Sequence, residues 1–109
     1  AYRNDTYGGA TPEKTLELFI EALEAKNYEL AVKYFVVEKQ NEEFANMPRG
    51  VSSGGIVALI NAYRNGSTKS TPYDSADKYE IEVYPRGGNI PFGFIFLLNP
   101  FTQKWKILE

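Results

Sequence analysis

Residues 79–84, Tyr79-Glu80-Ile81-Glu82-Val83-Tyr84, alternate apolar and acidic side chains with a period of two. That period belongs to a strand with one buried and one wet face, Tyr79, Ile81 and Val83 forming the buried row. Downstream, Phe92-Gly93-Phe94-Ile95-Phe96-Leu97-Leu98 is apolar on both faces, as a central strand is, with Gly93 the place for a bulge. Pro85-Arg86-Gly87-Gly88-Asn89 supplies the turn between the two, and Asn99-Pro100 the next one. Trp105 and Ile107 alternate with Lys104 and Lys106, which predicts a last strand antiparallel to its predecessor. Residues 67–73 add a short edge strand.

Upstream of Gly66 the period is helical. Thr11-Pro12-Glu13 is a start signal: Thr accepts from orphan N–H groups, Pro needs none, and Glu suits the positive helix end. Leu16, Phe19, Ile20 and Leu23 follow at i, i+3, i+4 and i+7, with Glu13, Glu17, Glu21 and Glu24 behind them as an acidic back. Lys26-Asn27 ends this helix, with Asn27 suited to the left-handed conformation. Residues 28–35 give a short second helix through Leu30, Ala31, Tyr34 and Phe35. Residues 36–50 read as a connection with one helical turn. Ser52 or Ser53 caps a third helix in which Ile56, Val57, Leu59, Ile60 and Tyr63 surround most of the circumference, so it should be covered on more than one side.

Helices first and an antiparallel sheet afterwards is the segregated α+β class: about three N-terminal helices packed on three to four strands. Residues 1–10 read as an irregular leader or linker end, and 11–109 as one domain. Thr11-Pro12-Glu13-Lys14-Thr15 leading into Leu18-Phe19-Ile20-Glu21-Ala22-Leu23, then Lys26-Asn27-Tyr28-Glu29-Leu30-Ala31 and Tyr34-Phe35, resembles the opening of the NTF2-like superfamily. Trp105-Lys106-Ile107 is similar to the frequent terminal strand of that group. The resemblance implies a cone, a curved sheet closed by helices, frequently pocketed and often dimeric. It is nearest to small extracytoplasmic bacterial domains of unknown function, reached through an export or anchoring segment outside this stretch, with a cytoplasmic site the alternative.

Composition removes much chemistry. The 109 residues contain neither Cys nor His, which excludes disulfides, thiol nucleophiles and imidazole triads. A formal charge of −2 argues against nucleic acid as a partner. No apolar run reaches membrane-span length, and no signal-peptide pattern opens the chain. Asp5, Asp74 and Asp77 sit in turn-like sequence and read as solvated; Asp74, Asp77 and Glu80 lack calcium-loop spacing, so no metal or cofactor is expected. Lys104 and Lys106 flanking Trp105 read as outward, soluble edge protection rather than a stacking platform. Two glycosylation-like triplets, at Asn4 and Asn65, and Gly54-Gly55 are too common to carry weight.

Two features stand above this background. Glu80 and Glu82 share one strand face; on a concave side, like charges would raise one pKa and make an acid/base pair. The ordinary reading is a solvent face. Eight tyrosines, seven phenylalanines and one tryptophan are many for so small a core. Tyr34, Tyr63, Phe94, Phe96 and Trp105 fall where helices meet the sheet, so they either pack or line an apolar pocket. The expectation is a non-catalytic accessory or binding domain that takes a small apolar ligand or a protein partner. The alternatives are a pocket enzyme, isomerase-like or hydrolase-like, using carboxylate and tyrosine, and a homodimerisation or partner-docking domain.

Overall fold

Thr11 opens the first helix, α1 (Pro12–Glu24), by accepting the Lys14 N–H at 3.1 Å. The computed structural model describes residues 2–109. Leu16, Phe19, Ile20 and Leu23 are buried as their spacing predicts. Lys26, at φ 58°, takes the left-handed position expected of Asn27. Asn27 instead caps α2 (Tyr28–Val32), its Oδ1 accepting the Leu30 N–H at 3.2 Å.

The connection expected over 36–50 is instead a 3₁₀ turn (Val37–Lys39) and a full helix, α3 (Gln40–Ser52). Its apolar signal is narrow, with only Met47 buried, and Pro48 removes one helical N–H donor. Contacts with α2 and with α4 (Gly55–Asn65) sustain it, helped by Glu42 and Glu43 at its positive end. For α4 the residue at the N-cap is Gly54, at φ 78°, while Ser53 Oγ accepts the Gly55 N–H at 3.2 Å. This helix is covered on one side: Leu59 and Ala62 are buried, but Val57 is 69% exposed. Its breadth of apolar residues overstated its burial.

The sheet is an antiparallel meander in the order β1 (Ser67–Pro72), β2 (Lys78–Tyr84), β3 (Phe92–Leu98), β4 (Trp105–Ile107). The β2–β3 register runs evenly from Lys78 opposite Leu97 to Val83 opposite Phe92, so Gly93 is an ordinary paired residue and no bulge. Ile81, Val83, Phe94, Phe96 and Ile107 face the helices and meet Leu16, Phe19 and Ile20 in one core. Beyond β4, Phe35 makes a parallel bridge to Ile107 and the Val36 N–H donates to the Ile107 carbonyl at 2.8 Å. The α+β class is as the sequence indicates, with four helices rather than about three.

Thr15, fully buried on α1, ties the leader to the sheet. Its hydroxyl oxygen accepts the Gly9 N–H at 2.9 Å and its proton reaches the Trp105 carbonyl at 2.9 Å, while the Trp105 N–H donates to Gly9 O at 3.0 Å. Thr15→Val keeps the shape and strands two buried backbone groups. It should lower stability by about 1–3 kcal/mol in urea unfolding, against a few tenths for a wet hydroxyl.

Candidate functional site

Because the 92–98 strand is apolar on both faces, it needs two covers. The helices supply one. On the opposite face, Leu97 of β3 pairs with Lys106 of β4, and the leader comes to lie over that pair. Lys106 is 3% exposed, contrary to the outward, soluble position that alternation implies. Its ammonium donates to Asp5 Oδ1 at 3.0 Å, to the Tyr7 carbonyl at 2.7 Å and to the Lys33 carbonyl. Asp5 is therefore no solvated turn aspartate: its side chain is 6% exposed, with Oδ2 2.9 Å from Lys106 Nζ. Burial pushes the Lys106 ammonium below its ordinary pKa, and the neighbouring carboxylate opposes that shift without cancelling it.

Beside this ion pair lies a pocket of about 470 Å³. Leu97, Leu98, Leu108, Val36 and Phe101 give it apolar walls, with Asp5 and Lys106 among its lining and Glu38 and Lys39 contributing one charge of each sign. The turn that carries Phe101 is fixed locally. Asn99 Oδ1 accepts the Phe101 N–H at 2.9 Å, and Gln103, at φ 59°, brings its own N–H to Asn99 O. The Arg3 guanidinium lies 4.3 Å from the centre of the Phe101 ring, fastening leader to turn.

None of the five aromatics singled out from sequence lines this pocket. Phe94 and Phe96 are buried against each other, ring centres 6.4 Å apart, and Phe94 meets Phe19 edge-on. Tyr34 is buried with its ring edge toward Tyr7, and Trp105 packs edge-on against Tyr79. Tyr63 donates to Glu17 Oε1 at 2.8 Å; burial, then that bond, push its pKa up to about 12. Glu80 and Glu82 project from the face away from the helices, opposite Ile95 and Gly93 of β3. Among the described residues Glu82 accepts a single, long hydrogen bond, from Tyr84 at 3.3 Å. They do not face the interior where desolvation would couple them.

The acidic back of α1 also has a partner. Arg64 of α4 grips Glu24 through Nε and Nη2 (2.9 and 2.7 Å) and Glu17 through Nη1 and Nη2 (3.2 and 2.9 Å). These bonds hold both carboxyls below the ordinary value of 4.5. A depressed carboxyl stabilises the fold fully above pH 4.5 and loses that contribution as pH falls through its native pKa. Arg64→Met should therefore unfold more readily than the parent at neutral pH, and the gap should close on acidification below about 4.5; urea midpoints across that range measure it. Each nitrogen of the Arg64 guanidinium is engaged and the clamp is partly exposed, so it reads as a brace between α1 and α4.

Sequence reasoning missed Asp5 and Lys106, the buried ion pair beside the pocket. The available signal was the double-sided apolarity of Phe92–Leu98, which demands a second cover, and residues of the leader and of 36–39 line the pocket on that side. Among the described residues no cluster of acidic groups could hold a metal ion, and no helix is long and apolar enough to cross a membrane. Compared with known protein families, with curated proteins and with solved structures, the chain finds no match in any of the three.

Proposed function

We propose that this chain is a non-catalytic binding domain whose site is the pocket on the outer face of the sheet. One observation carries the reading: a concavity of about 470 Å³, walled by Leu97, Leu98, Leu108, Val36 and Phe101, beside a buried ion pair. Small-molecule sites combine that size, apolar walls and a few fixed polar groups. The rings between sheet and helices, Phe19, Phe35, Phe94 and Phe96, are engaged with one another, which leaves the outer face as the place for a ligand. An enzyme built on Glu80 and Glu82 is the weaker reading, since their strand's interior row is Tyr79, Ile81 and Val83. The helix-then-meander order and the Thr11 cap support NTF2-like kinship, and with it an extracytoplasmic setting.

Methyl-resolved NMR against a library of small neutral organic fragments tests the binding claim. Shifts gathered on Leu97, Leu98, Leu108 and Val36 are expected. Shifts gathered elsewhere, or none at millimolar fragment, would overturn it.

A further inference from the structure

We infer that two copies of this chain join through the free edge of β1, strand to strand and antiparallel about a two-fold axis, making one sheet with four strands from each copy. This edge lies at the far end of the sheet from the pocket, so the pairing stands independently of ligand binding. A meander has two edges, and this chain closes one of them. Along β4 the Ile107 N–H donates to the Tyr34 carbonyl and the Ile107 carbonyl accepts the Val36 N–H, both at 2.8 Å, while the Trp105 N–H donates to Gly9 O at 3.0 Å. The β1 strand has no such cover: all six of its residues are exposed, and it pairs on one side alone, with β2. The Tyr73 N–H donates to the Lys78 carbonyl at 3.3 Å, so by alternation Thr71, Lys69 and Ser67 also turn their backbone groups toward β2. Thr68, Ser70 and Pro72 therefore turn theirs outward, offering two N–H groups, since proline has none, and three carbonyls. No described residue is hydrogen-bonded to any of them. Such a row is a template for another strand.

The edge complements itself most fully in one register. Setting Ser70 opposite Ser70 gives a pair of bonds at the axis, and each Thr68 N–H then meets the Pro72 carbonyl of the second copy. On the outer face the same register puts Lys69 opposite Thr71 of the second copy. Each row then runs Glu82, Lys69, Thr71, Glu80 across the two chains, so every lysine lies between carboxylates of both. Centring on Lys69 sets lysine against lysine, and centring on Thr68 reaches past the strand to Gly66, whose N–H is held by the Ala62 carbonyl. Lys69 and Pro72 are the residue types that guard an edge against indiscriminate pairing, and here they select the register. With the β4 edge closed, the pairing ends at two copies and builds no fibre. A second copy also fits on the helix side. Helix α4 lies over β1 and β2, and α1 over β2 and β4, so the flank of α4 turned from α1 faces the open edge. Ala58, Asn61 and Asn65 occupy that flank, all exposed and none large, which leaves room for the second copy's helix.

Sedimentation equilibrium of the whole chain, from micromolar to near-millimolar concentration, should carry the mass from 12.3 kDa toward twice that value. The chain has no cysteine, so single substitutions report the register. Mild oxidation should convert Ser70→Cys to a covalent dimer, because the paired Cα atoms lie about 5.5 Å apart, within disulfide reach. Thr68→Cys, set opposite Pro72 of the second copy, should stay uncross-linked. Lys69→Glu changes an exposed side chain and replaces the one cation of each row by a third carboxylate, so it should weaken association at least about tenfold. A chain that stays monomeric at every concentration overturns the inference and leaves the edge to an extended segment of another protein. Dimers that cross-link no better at 70 than at 68, or that are indifferent to Lys69→Glu, overturn the edge pairing and put the contact elsewhere on the surface.

Discussion

Lys106→Met should cost about 3–5 kcal/mol of unfolding free energy, the usual penalty for removing one partner of a buried ion pair. Methionine keeps the length of the stem and deletes the ammonium. It leaves the Asp5 carboxylate, the Tyr7 carbonyl and the Lys33 carbonyl without their shared donor, at a position 3% exposed. Small domains total about 5–15 kcal/mol, so this loss takes a large share of the folding free energy. Lys104→Met is the control: the two lysines are sequence twins around Trp105, but Lys104 is half-buried with no ion pair among the described residues, and its replacement should cost under about 1 kcal/mol. Urea midpoints for both variants measure the contrast. Asp5→Asn combined with Lys106→Met should fall short of the sum of the single losses, since each single change strands a charge that the double change removes. Equal, small effects at 104 and 106 would return Lys106 to the solvent.

The two lysines also mark where sequence stops being informative. Alternation gives the parity of a strand, so Tyr79, Ile81 and Val83 could be assigned to one face and Lys104 and Lys106 to the other. It does not say what lies over the second face. That depends on where a ten-residue leader without periodicity runs, and the contacts that place it span most of the chain: Asp5 to Lys106, Gly9 to Trp105, Thr15 to Trp105. The helix α1 was legible because cap, proline and spacing agree within thirteen residues. The helix α3 was not, because its polar sequence and Pro48 argue locally against what neighbouring helices enforce. Likewise the aromatics were legible as residues that meet at the helix–sheet boundary, but whether they fill that space or frame it is a matter of rotamers. Candidate ligand-facing residues therefore had to come from the outer face, where the strand's second apolar row was the one advance sign.

Phe96→Ala provides the matching measurement for the inner face. Phe96 is fully buried on β3, between Tyr79 of β2 and Ile107 of β4, with Phe94 tilted beside it and Phe19 and Phe35 continuing the ring contacts into the helices. In a space already filled, truncation removes the transfer free energy of the ring and leaves a hole that neighbours on a paired strand cannot close. The expected loss is about 3–5 kcal/mol. Phe96→Leu should lose a smaller part of that, since most of the volume stays occupied. Phe101→Ala changes the same residue type at a site 52% exposed in the turn beside the outer pocket, and should leave stability within about 0.5 kcal/mol while weakening the binding of apolar fragments there. The two phenylalanines thus separate by readout: one governs folding and the other the ligand. If Phe96→Ala cost under about 1 kcal/mol and gained affinity for apolar fragments, the interior would be the yielding compartment, and the binding site would move from the outer face of the sheet to the space beneath the helices.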